Sequence, residues 1–205
     1  MARTQEERRT ETRRRLLEAA AARFAEQGIE GTSVDAIADA AERTSGALYD
    51  HFGSKEGLLT ALLESWTNDV AAVIAAELVV AETIDDQLLA LWRNFVDPPA
   101  EDGGRWVQLE HELWLYAARN GGVRERLAER YRDVWARLGE AVQTWADTGQ
   151  AAPVVAPDRT APLLIAMLIG LEMQHRVDPD AVSDEMALAG LRALVGLTTD
   201  DKESR

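Results

Sequence analysis

Apolar residues recur at three- and four-residue spacing along nearly the whole chain, and no stretch sustains the alternation of a strand. Leu16, Leu17, Ala20, Ala21 and Phe24 make one buried face of a first helix that ends near Gln27, with Gly28 as its stop. Residues 1–9 before it read as a flexible arm. Two short pieces follow. Ala36, Ile37, Ala40 and Ala41 form the inner side of one, opened by Thr32 and Asp35 as a capping pair. Ala47, Leu48 and Phe52 form the inner side of the other, after a break at Glu42–Thr44. A fourth helix opens behind Ser54 and runs to about Val80 on Leu59, Leu62, Leu63, Trp66, Val70, Val73 and Ile74.

Five more helical patterns complete the chain. Thr83 caps a fifth helix that Pro98-Pro99 ends, and a sixth spans about Gly104–Arg119 with Trp106, Leu109, Leu113 and Trp114 inward. The seventh runs Val123 to about Asp147, and two more cover about Asp158–Val177 and Pro179–Leu197. The run APLLIAMLIGLEM in the eighth is apolar nearly all round, as in a core or an interface. At 11 residues, Ala161–Leu171 falls short of the ~20 a bilayer span needs. The fold class is all-α with about nine helices. Residues 1–54 form a three-helix helix-turn-helix head, and 55–205 a helical-bundle body.

Charge complicates the reading of the head. The chain carries −14, where DNA-binding domains are usually basic. The distribution resolves part of this. Residues 1–60 hold nine Lys/Arg against eleven Asp/Glu, and 1–15 hold six Arg against three Glu. The acidity belongs mostly to the body, and the head has a basic tip. The absence of Cys excludes disulfides and thiolate metal sites, and with no apolar leader the chain reads as cytoplasmic, without a membrane partner. No Ser/His/Asp spacing, phosphate loop or metal cluster suggests an enzyme, so no catalytic residue, metal or cofactor is assigned.

Thr32, Ser33, Thr44 and Ser45 stand at helix N-termini, where hydroxyls cap the helix or meet a phosphate. Gly46 admits a close backbone approach, and Tyr49, Asp50 and His51 add polar groups to the same short helix. Arg3, Arg8 and Arg9 lie in the arm, within range of a groove or backbone. All six tryptophans fall outside the head. Trp66, Trp92, Trp114 and Tyr116 are candidate liners of an aromatic cavity, or else plain core. Glu172, Gln174 and His175 are polar groups in an apolar helix, suited to an interface.

The head resembles the DNA-binding domain of the TetR family of transcriptional regulators. Gly28, Thr32-Ser33-Val34, Ile37-Ala38, Ser45–Phe52 and Ser54–Leu59 carry the likeness over about residues 10–63. The resemblance implies a homodimer on a palindromic double-stranded operator, usually a repressor, released when a small lipophilic or aromatic effector fills a pocket in the body. It places Tyr49 and Lys55 on DNA phosphates. The turn departs from the family habit, with Glu42-Arg43 where relatives often carry small uncharged residues. Arg43 adds a possible phosphate contact and Glu42 opposes one. The DNA-binding set is then Thr32, Ser33, Arg43, Thr44, Ser45, Gly46, Tyr49, His51 and Lys55. The rival reading is a helical bundle with an enzymatic or purely protein-interaction role.

Overall fold

Helix begins earlier than the periodicity suggests, because the first turn is polar. Thr4 accepts from the Glu7 amide at 3.2 Å, and the Glu7 carboxylate accepts from the Thr4 amide at 2.8 Å. This reciprocal box satisfies two donors and starts helix α1 at Gln5, so residues 5–9 are helical and not an arm. The computed structural model describes residues 4–65, 80–97 and 103–197, with side chains from 107 in the last segment. Arg3, Trp66, the side chain of Trp106, Pro98-Pro99 and the fourth helix beyond 65 lie outside the described residues.

Among the described residues every regular element is an α-helix. They are α1 (Gln5–Gly31), α2 (Val34–Ala40), α3 (Ser45–Phe52), α4 (described over 55–65), α5 (Ile84–Val96), α6 (Gly103–Arg119), α7 (Gly121–Asp147), α8 (Pro157–Val177) and α9 (Asp184–Val195). The chain divides into two compact units. One is Met1–Ala72 with Ala100–Leu127, and the other is Val73–Pro99 with Ala128–Arg205.

In the first unit α1 packs on α2, α3 and α6. Leu16, Ala20, Phe24, Ile29, Ile37, Leu48, Leu58, Leu59, Leu62, Leu109 and Leu113 are buried, which is one apolar face from each helix. α1 bends at Gly28, whose φ of 72° and ψ of 161° leave the helical region. Glycine reaches that conformation without a Cβ penalty. A Cβ here would also stand 3.1 Å from the Glu112 carboxylate of α6. Trp114, expected inward, is 39% exposed.

The second unit is built on α5, α8 and α9, which pack mutually. Trp92 of α5 is fully buried. Its indole N–H donates to Asp184 at 2.8 Å, and His175 meets its ring edge-on at 5.9 Å. Arg93 bonds the other Asp184 oxygen at 3.2 Å. α9 begins later than expected because Ser183, not Pro179, caps it. Glu172 is fully buried in α8 and pairs with Arg176. Replacing Trp92 by Ala empties a large core site and should cost about 3–5 kcal/mol, whereas Trp92→Phe loses chiefly the Asp184 bond and should cost about 1–2 kcal/mol. Urea denaturation followed by circular dichroism measures both.

Candidate nucleic-acid interface

Three short-range devices hold α2 and α3 in a fixed relation. The Ser33 hydroxyl accepts from the Ala36 amide at 3.1 Å, and the Thr44 hydroxyl from the Ala47 amide at 3.2 Å. Each cap satisfies an orphan donor of a helix only 7 or 8 residues long. Between them the Glu42 amide donates to Asp39 O at 3.0 Å and the Arg43 amide to Ala38 O at 2.8 Å. This is a Schellman stop, which demands a left-handed residue at its centre. Glu42 fills that place at φ 55°. An L-residue with a side chain is strained there by ~1 kcal/mol.

The inner side of this helix pair is core, through Ile37, Ala38, Ala41 and Leu48. Ser33, Thr44 and Gly46 are exposed, and Tyr49 is 52% exposed. Ser45 is half-buried and its hydroxyl donates to the Asp35 carboxylate of α2. The Asp35–Ser45 bond staples the two helices face to face, so Asp35, expected to box with Thr32, bonds across to α3 instead. A Cβ at Gly46 would meet only the Thr44 hydroxyl, at 3.7 Å, so nothing inside the head demands glycine there.

Four candidates turn out to be tied to the head itself. Thr32 does not cap α2, since Ser33 does. Its hydroxyl is buried and donates to Gly28 O at 2.8 Å and Arg23 O at 3.1 Å, which removes it from any surface. The Lys55 ammonium donates to Thr32 O at 2.6 Å and lies 5.9 Å from the Phe24 ring. Burial pushes the Lys55 pKa down. Arg43 donates to Glu42 O at 2.7 Å and to the Thr12 hydroxyl at 3.3 Å. His51 is half-buried at the end of α3, beside Arg9 and Arg13 of α1.

Gly57 is a further requirement the pattern did not reveal. A Cβ there would stand 2.0 Å from Phe52 O. The first turn of α4 therefore lies directly against the last turn of α3. The Ser54 hydroxyl accepts from the Gly57 amide at 3.0 Å and caps that turn.

The aromatic candidates are not gathered in one unit. Trp92 belongs to the second unit, fully buried with its N–H bonded. Trp114 and Tyr116 belong to α6 in the first. Tyr116 is half-buried, and desolvation, followed by the charges of Glu56 and Glu30, raises its pKa.

The family model for bacterial regulatory proteins of the tetR family matches residues 16–62, and that for the C-terminal domain of BetI-type transcriptional repressors matches 84–199. The chain belongs to the TetR family. Part of the chain is similar to the HTH-type transcriptional repressor KstR2 of Mycobacterium tuberculosis, 52% identical over 85 residues, which is 42% of this chain and 34% of that protein. The chain thus spans about a third of the length of the first curated relatives it matches. UidR of Escherichia coli K12, an HTH-type transcriptional regulator, is 26% identical over 90% of this chain and 91% of its own. A regulator from Saccharomonospora viridis, solved in complex with choline, shares the TetR fold at TM-score 0.74 and 21% identity, covering 90% of this chain and 95% of that one. The SmeT–triclosan complex does so at TM-score 0.71 and 23% identity, covering 93% of each.

The strained turn can be tested directly. Glu42→Gly relieves the strain while adding unfolded-state entropy, so stability should stay within about 1 kcal/mol. Glu42→Ile places a β-branched residue at positive φ and should lose about 1–2 kcal/mol. Urea titration distinguishes them.

Proposed function

We propose that this chain is a ligand-responsive transcriptional repressor of the cytoplasm, which binds a palindromic operator as a homodimer and lets go when a small molecule fills its body. In this reading residues 1–54 read DNA, and 55–205 bind the effector and dimerise. The observation that carries it is the outer side of α3. Thr44, Gly46 and Tyr49 are exposed there, while the opposite side of the same helix is core. Glycine at 46 has no internal cause, and a duplex pressed against the helix supplies an external one.

In this arrangement the N-terminal amides of α3 and the Thr44 hydroxyl face a phosphate, and Tyr49 donates to another. Ser33 does the same from α2. Ser45 and Arg43 position the pair, and Thr32 only supports it. Each α3 enters a major groove, with two copies about 34–36 Å apart or further on a longer site. The effector is lipophilic, aromatic or cationic. The choline and triclosan complexes of the two structural neighbours support a small organic molecule, the first of them a cation.

The decisive experiment is selection of duplexes from a random pool by the purified protein, followed by titration of the recovered duplex. A palindrome should emerge, bound with strong salt dependence, and candidate effectors should release it. Tyr49→Ala should weaken binding of the dimer by on the order of 100- to 10,000-fold, because one charge-assisted bond of about 1.5–3 kcal/mol is lost in each half. Recovery of no duplex would refute the reading.

Dimerisation is assigned to α8 and α9. Leu163, Met173 and Val177 of α8 and Met186 of α9 are large apolar side chains left exposed. Met173→Glu should turn a dimer into a monomer in sedimentation velocity with unchanged helicity.

A further inference from the structure

The arginines of α1 divide into two classes. Arg14 and Arg15 are neutralised at home. Arg14 pairs with Glu11 at 2.8 Å and Glu18 at 2.6 Å, and Arg15 with Glu11 at 2.8 Å and Glu42 at 3.4 Å. Those two guanidiniums, Arg14 foremost, hold the Glu11 carboxyl down at about 2. Among the described residues no carboxylate lies within ion-pairing distance of Arg9 or Arg13. They stand four residues apart, so both face the same way and repel.

These two residues border an open groove of about 630 Å³ with Gln5, Glu6, Thr10 and His51. The Arg13 guanidinium lies 5.0 Å over the Phe52 ring centroid. The His51 ring sits 6.0 Å from the same phenyl, tilted by 41°. Three nitrogen-bearing groups from two helices thus converge, none of them in an ion pair with the Glu6 that shares the groove. An arrangement that repels itself in the free protein is stabilised by a bound anion. Lying at the C-terminal end of α3, the groove fits a backbone phosphate of the same duplex.

Resting on the DNA-binding reading above, we propose that Arg9, Arg13 and His51 form a phosphate seat for the operator backbone, and that His51 takes up a proton as the phosphate enters. In the free protein burial, followed by the charges of Arg9 and Arg13, holds His51 below its ordinary pKa of 6.5. Asp50 on its own helix pulls the other way, and Glu6 on the groove wall is the acidic group facing it from α1. A phosphate between the three cations reverses the balance and favours the imidazolium. In the window between the lowered free value and the raised bound value, each protomer binds DNA with one proton. Affinity therefore falls as pH rises through that window and is flat on either side.

The test uses the duplex recovered by selection with the wild-type protein, titrated at several salt concentrations between about pH 5.5 and 8. Wild-type affinity should drop by about tenfold or more across the range. His51→Gln should bind at every pH about as the wild type does at high pH, without the slope. Arg9 is exposed, so Arg9→Gln leaves the core untouched; it should lower the salt slope by about one per protomer. Arg13→Lys should keep the pH dependence, while Arg13→Gln should lose most of it. Tyr49→Ala should weaken binding yet retain the dependence on pH. A wild-type duplex affinity that does not change with pH, or a salt slope unmoved in Arg9→Gln and Arg13→Gln, overturns the seat and leaves the DNA-binding reading standing. Recovery of no duplex overturns both.

Discussion

The head depends on one carbonyl. Thr32 O accepts the Lys55 ammonium at 2.6 Å, while the Thr32 hydroxyl closes on Gly28 O and Arg23 O. Through this residue the bent end of α1, the entry to α2 and the first turn of α4 are fastened together. The Gly57–Phe52 approach then seats α4 on α3. Once these two contacts are set, the angle between α3 and the rest of the head has little freedom left. A buried hydroxyl whose one O–H is shared between two carbonyls is costly to disturb, since its removal loses that hydrogen bond at ~1–3 kcal/mol.

The same contact leaves the Lys55 ammonium with spare donors. An ammonium has three donors. One goes to Thr32 O, which orients the group and leaves two. Burial pushes its pKa down. The acidic chain poses the same problem on a larger scale. A protein of net charge −14 attracts a polyanion only through local fields. Pairing Arg14 and Arg15 to Glu11 while Arg9 and Arg13 lie outside ion-pairing distance leaves positive charge at the groove those two residues border.

Much of the fold was legible because helical spacing is a strong signal in a chain free of alternation. The Thr83 box, the break at Glu42–Thr44 and the caps at Thr44 and Ser54 all stand where the residue types place them. The start of α1 was missed because it has no apolar face to announce it, only Thr4 and Glu7. Assigning the α2 cap to Thr32 failed for a different reason. Thr32 and Ser33 are equally good caps locally, and the choice is made by the burial of Thr32 against α1, a contact distant in sequence. The aromatic candidates were the least legible. Period alone cannot tell a buried indole bonded to Asp184 from one lining a cavity, nor foresee that Trp114 turns outward.

α6 adds the last constraint on the head. Glu112 stands against the Gly28 bend, and Leu109 and Leu113 are buried in the unit that contains α1. The Arg119–Glu30 pair spans 3.7 Å with both side chains more than half exposed, so it contributes ~1 kcal/mol at most. The link between α6 and α1 is therefore steric and apolar. Such a contact is close-packed and resists gradual deformation. The bend at Gly28 touches Glu112 on one side and accepts from Thr32 on the other, and Thr32 accepts from Lys55. A continuous chain of contacts thereby joins α6 to the first turn of α4, and through Gly57 to the end of α3.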